Sequence, residues 1–107
     1  MIDCIVDLSK VTDYLLNPDH VDGAAKAKFF CAGGFERDRP DILIAALQRH
    51  FADNQPGRLQ YPRPGCIRII IDGPMTVPDG RNPAVRSVWD VDGENASPRL
   101  ITAYPSD

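Results

Sequence analysis

The spacing of apolar residues changes at Gly57, and this change constrains the fold more than any other feature of the chain. Before it, apolar positions recur every three or four residues, the period of a helix packed along one face. "RPDILIAALQRHFADNQPG" is the clearest case. Pro40 suits a first helical turn, Asp41 suits the positive end of the helix dipole, and Ile42, Leu43, Ala46, Leu47 and Phe51 form an apolar face with His50 beside it. The pattern predicts a helix over Pro40–Asp53, stopped by Asn54 and Pro56-Gly57. A second, shorter helix is expected from Gly23 to Ala32, capped by Asp22 and ended by Gly33-Gly34, with Ala25, Phe29 and Ala32 as its buried stripe. The opening stretch is mixed: Ile5 to Leu8 reads as a short strand, and Leu15 and Leu16 as buried.

After Gly57 the period is two. "CIRIIID" sets Ile67, Ile69 and Ile71 on one face and Arg68 and Asp72 on the other. "AVRSVWDV" and "RLITAYP" follow as two more strands, separated by the turn signals "PDGR" and "VDGENASP". "GRLQYPR" adds a fourth strand at an edge, where Pro62 is tolerated. Helices followed by a meander give an α+β domain, with N-terminal helices packed on one face of a three- to four-stranded antiparallel sheet. At 107 residues the chain, residues 1–107, is long enough for one such domain and too short for two.

Composition narrows the function. The net charge is −3, against strong non-specific nucleic-acid binding, although a single phosphodiester needs only local cations. No apolar run reaches the ~20 residues of a membrane span and no leader pattern is present, so a cytoplasmic location and no membrane association are expected. Cys4, Cys31 and Cys66 are odd in number and widely spaced, which fits reduced thiols. No Cys-x-x-Cys or His-x-x-x-His pair occurs, and no metal or cofactor is expected.

With Ile67, Ile69, Ile71 and Ile101 turned toward the helices, the opposite sheet face would gather Arg68, Arg86, Thr102 and Tyr104. Cations, a hydroxyl and a phenol are the parts that bind and cleave a phosphodiester. They are equally what any half-solvated sheet carries. In "YLLNPDHVDGAAKAKFF" the histidine belongs to a turn, and Lys26 and Lys28 fit a solvated helix edge. Trp89 fits a core aromatic, and "AGGF" lacks the rest of a phosphate loop.

Three stretches in order, "YLLNPDHVDGAAKAKFF", "GF" at Gly34-Phe35 and "VWDVDGENASPRLITAYP", resemble a family of small bacterial domains of unknown function (DUF6883-like). Its members read roughly Tyr-Leu-Leu-x-x-x-His-x-x-Gly-x-x-Lys-Ala-x-x-Phe, then Gly-Phe, then Trp and a closing Pro-Arg-Leu-x-Thr-Ala-Tyr-Pro. More remotely, the order of motifs is similar to that of the barnase–EndoU–colicin–RelE group of endoribonucleases, many of them toxins. That likeness implies catalytic roles for His20 and Lys26 from the helical part and for Arg99, Thr102 and Tyr104 from the last strand. His20 would move the proton, Lys26 and Arg99 would stabilise charge, Thr102 would hold a phosphate oxygen, and Tyr104 would stack a base or act as the acid. The reaction implied is metal-independent cleavage of RNA to a cyclic phosphate, with RNA and a small cognate inhibitor as partners. The acidic charge departs from the basic toxins of that group. It keeps a second reading open, a non-catalytic immunity-like or regulatory module that binds a protein on the open sheet face.

Overall fold

A computed structural model describes residues 4–93 and 96–106. A short helix, α1 (Leu8–Lys10), runs into a π-helical turn (Val11–Leu15). Helices α2 (Ala24–Ala32) and α3 (Pro40–Asp53) follow. The antiparallel sheet comes after them, in the order β1 (Arg58–Arg63), β2 (Cys66–Pro74), β3 (Ala84–Asp92) and β4 (Arg99–Pro105). This is the α+β meander that the change of period predicts, and the bounds of α3 are those read from its pattern.

Helix α3 lies across β2 and β3, whereas α1 and α2 lie against β4. Leu43, Leu47 and Phe51 of α3 are buried against Ile71, Val85 and Trp89, and Phe51 meets Trp89 edge-on with ring centroids 4.9 Å apart. Fully burying side chains of this size contributes about 1.5–3 kcal/mol each. His50 is also buried. Its Nε2 faces the carbonyl oxygens of Gly73 and Val85 at 3.1 and 3.0 Å, and its Nδ1 lies 2.9 Å from the Ser87 hydroxyl. Since carbonyls only accept, Nε2 carries the ring proton. Nδ1 therefore accepts from Ser87, whose oxygen in turn accepts from the Trp89 indole at 2.8 Å. Every polar atom of the network is satisfied with a neutral ring.

Four local expectations are corrected. Helix α2 buries Ala27 and Phe30 rather than Ala25 and Ala32, which are exposed, with Phe29 partly buried. The helix sits at the β4 rim with Phe30 turned toward Phe35. Ile5 makes only an isolated parallel bridge to Arg99, and Leu8 already belongs to α1. In β4 a register shift opposite Val88 and Trp89 makes Ile101 an extra residue. Leu100 and Ala103 consequently enter the core, and Ile101 stays half-exposed. Asp22 does not cap α2, since no side-chain bond is made from the N-cap position and the work is done by His20, as described below. The turn expected over residues 91–98 lies partly outside the described residues.

The sheet face away from α3 is covered by ion pairs. Arg68 grips Asp90 at 2.7 and 3.0 Å, and Arg86 grips Asp72 at 2.6 and 3.1 Å. Arg63 reaches Asp92 at 2.8 Å. The Arg68 and Arg86 guanidiniums hold the Asp90 and Asp72 carboxyls below the usual carboxylate range.

Candidate functional site

The turn "NPDHVDG" places the N-terminal residues of the site. The Asn17 side chain accepts from the Asp19 amide at 3.0 Å and closes the turn. His20 then turns its Nδ1 to the amides of Asp22 and Gly23, each at 3.0 Å. These are amides that a helix start leaves without partners, so His20 serves α2 as a cap. Both amides donate, so Nδ1 must accept, and the neutral ring carries its proton on Nε2. His20 thus presents an N–H donor rather than a lone pair.

Tyr14 stands at the centre of the arrangement. The π-helical turn, closed by the Leu16 amide on the Val11 carbonyl at 2.9 Å, carries it toward the β4 rim. Its hydroxyl lies 2.9 Å from Thr102 Oγ1. Its ring meets the His20 ring edge-on with centroids 5.0 Å apart. The Lys10 and Lys26 ammoniums lie 5.3 and 5.4 Å from the Tyr14 ring centre, within cation–π reach. Lys26 is also 5.9 Å from the Tyr104 ring centre and donates to the Asp22 carbonyl at 3.1 Å. Gly23 makes room for this, since a Cβ there would lie 2.9 Å from Tyr14 Cδ1 and still closer to the Tyr14 carbonyl oxygen.

Between the turn and β4 lies an open cleft of about 770 Å³, lined by His20, Tyr14, Thr102, Lys10, Asp7 and Asp13 among others. His20 and Thr102 therefore share one cleft, Lys26 adjoins it at the Tyr14 ring, and Tyr104 is reached only through Lys26. Arg99 does not. Its Nη1 donates to both oxygens of Asp7 at 2.7 and 2.8 Å, and it borders a separate hollow of about 240 Å³. Arg68 stays apart, committed to Asp90 on the ion-paired face, whereas Arg86, gripped by Asp72, is also the cross-strand partner of Tyr104 and hydrogen-bonds its side chain.

Sequence reasoning missed Tyr14 and Lys10. Tyr14 opens the apolar run "YLL", where a tyrosine reads as core. The available signal was its place in the Tyr-Leu-Leu-x-x-x-His motif itself. Chemically, the cleft offers two ammoniums, one imidazole N–H and a pair of hydroxyls that share one hydrogen bond. A shared bond between two hydroxyls uses one proton and leaves the other to donate. These are donors for an anion, set on a rim that also carries aspartates. Among the described residues, no group of three histidines, cysteines or acids is placed to hold a metal ion, and no helix is long and apolar enough to cross a membrane.

The chain matches a family described as "Domain of unknown function (DUF6883)" over residues 2–107. None of the curated proteins matches it. Among solved structures, a chain of a contact-dependent growth inhibition toxin–immunity protein complex from Klebsiella pneumoniae 342 superposes with a TM-score of 0.74. Identity is 17%, and the superposition covers 96% of this chain and 93% of that one, so the two share a fold.

Proposed function

The chain belongs to the DUF6883 family, and for this member we propose metal-independent endoribonuclease activity at the Tyr14 cleft. The observation that carries the reading is the convergence of His20, Lys26 and Thr102 on one tyrosine, from segments at opposite ends of the sequence, with Tyr104 beside Lys26. The fold shared with a chain of a toxin–immunity protein complex supports a place in a pair of that kind.

Lys26 and Lys10 bind the non-bridging oxygens of a phosphodiester and offset the charge that builds as the phosphorane forms. The His20 Nε2–H donates to the same oxygens. The RNA 2′-oxygen attacks the adjacent phosphorus as its proton passes to solvent, and the bond from phosphorus to the 5′-oxygen breaks. The leaving oxygen takes a proton from the Tyr14–Thr102 hydroxyl pair, which solvent then replaces. Tyr104, half-exposed beside Lys26, stacks a flanking base. Arg99 acts at a distance by holding Asp7 on the cleft wall. The rival reading, a protein-binding module on the open sheet face, is less well supported, because the arginines of that face are neutralised by its own aspartates.

The test is incubation of the purified protein with single-stranded RNA in excess chelator. Fragments ending in a 2′,3′-cyclic phosphate are expected, and the DNA strand of the same sequence stays intact. Tyr14→Phe and Lys26→Ala each lower the rate by at least ~10²-fold with the fold unchanged. His20→Asn keeps an acceptor for the two amides and removes the Nε2–H, so it separates capping from chemistry. Intact RNA, or cleavage indifferent to these substitutions, would end the proposal.

A further inference from the structure

Strand β1 is the opposite edge of the sheet from β4, and it pairs only with β2 among the described residues. All six of its residues are exposed. Leu59 and Tyr61 are 55% and 70% exposed, a large apolar surface for an unpaired edge. An edge strand presents a row of free N–H and C=O groups, and soluble proteins cover or blunt such rows because other strands add to them. Among the described residues the edge is blunted by Pro62, which has no N–H to give, by a register shift between Gln60 and Arg63, and by the charges of Arg58 and Arg63 at its two ends. They leave Arg58–Tyr61 as the segment open to pairing. Just beyond it lies a hollow of about 810 Å³, walled mainly by apolar groups that include Tyr61, Pro62, Cys66, Ile67 and Val91.

Charge identifies the occupant. From Gln55 to Ile71 the chain has Arg58, Arg63 and Arg68 and no acidic residue, although the whole chain is at −3. Arg58 and Arg63 keep more than half of their side-chain surface exposed while pairing with Asp72 and Asp92. Exposed pairs of this kind hold weakly and can be shared with a newcomer. A second copy of this chain would bring the same arginines to the seam. An acidic strand would meet them with the opposite sign.

We propose that the β1 edge is a docking surface for an extended, acidic segment of another protein, which adds to the sheet along Arg58–Tyr61 and inserts an apolar side chain into the hollow beside Tyr61. The surface is three strands away from the Tyr14 cleft, roughly 14 Å across the sheet. Its occupation leaves the cleft open, and the proposal stands independently of RNA cleavage.

The test titrates the isotope-labelled protein with a short peptide of alternating valine and threonine with a glutamate at each end, and follows backbone amide resonances. Shifts confined to β1 and the turn after it are expected, with slowed hydrogen exchange in β1. Binding should weaken at least ~10-fold when lysines replace the glutamates, and also when alternate peptide amides are N-methylated. Leu59→Glu and Tyr61→Glu, both at exposed positions, should weaken it similarly. No response in β1, equal binding of the lysine-ended peptide, or equal binding of the N-methylated peptide overturns the proposal. So does a homodimer in sedimentation that Tyr61→Glu dissociates, because the occupant would then be a second copy.

Discussion

The buried His50 makes the fold sensitive to mild acid, by an amount that can be worked out. In the folded protein Nε2–H serves two carbonyls and Nδ1 accepts from Ser87, so the network is complete with a neutral ring. Protonating Nδ1 would make Ser87 accept from both His50 and Trp89, leaving its own proton without a place in a buried site. Burial accordingly pushes the His50 pKa below its ordinary 6.5. The unfolded chain then binds the proton more readily than the folded one, so stability is full above the unfolded pKa and falls as pH drops below it. The loss continues down to the folded pKa. For one such histidine, going from about pH 7.5 to about pH 5.5 removes up to about 1.4 kcal/mol. The lowered Asp72 and Asp90 carboxyls act in the other window, because their contribution is lost only as pH falls through their own depressed values. Urea unfolding of the wild type and of His50→Gln at the two pH values isolates the effect. The variant should be less stable at neutral pH by about 1–3 kcal/mol and should lose most of the pH dependence. A pH dependence in His50→Gln that matches the wild type would refute the assigned network.

Gly23→Ala should displace Tyr14, lowering stability by about 1–3 kcal/mol and, on the proposed function, RNA cleavage along with it; thermal melts and the cleavage assay together check this. Cys31 is exposed, whereas Cys66 is buried and its thiol is pushed up by that burial. A thiol reagent should therefore modify Cys31 in the native protein and reach Cys66 only after denaturation, as peptide mapping would show.

The elements whose patterns are strong and local were legible in the sequence. Pro40, Asp41 and the apolar stripe define α3, and the β-branched alternation of Ile67, Ile69 and Ile71 defines β2. What escaped depends on partners distant in sequence or on local geometry that spacing does not encode. The Arg99 guanidinium looked like a free cation beside Thr102, yet Asp7, 92 residues earlier, holds it. A single extra residue, Ile101, exchanged the faces of Leu100 and its neighbour, and period-two reasoning has no means to see an insertion. His20 was recognised as a turn residue, but its work as a cap depends on ring orientation, which spacing does not encode. The convergence of His20, Lys26, Thr102 and Tyr104 was expected only from the resemblance of motifs. Tyr14, which joins the first three of them, is visible once the π-helical turn has aimed it at β4.

The hydrogen bond between Tyr14 and Thr102 spans 88 positions of the sequence. Closing so long a loop comes late, because its entropic cost must be met before the contact contributes anything. During synthesis the first part of the site leaves the ribosome while the strand that completes it has yet to be translated. An unfinished chain therefore holds His20 and Lys26 without Thr102 and Tyr104, and the cleft is assembled only after nearly the whole domain has emerged. On the proposed function, RNA cleavage would therefore begin only when translation of the domain is nearly complete.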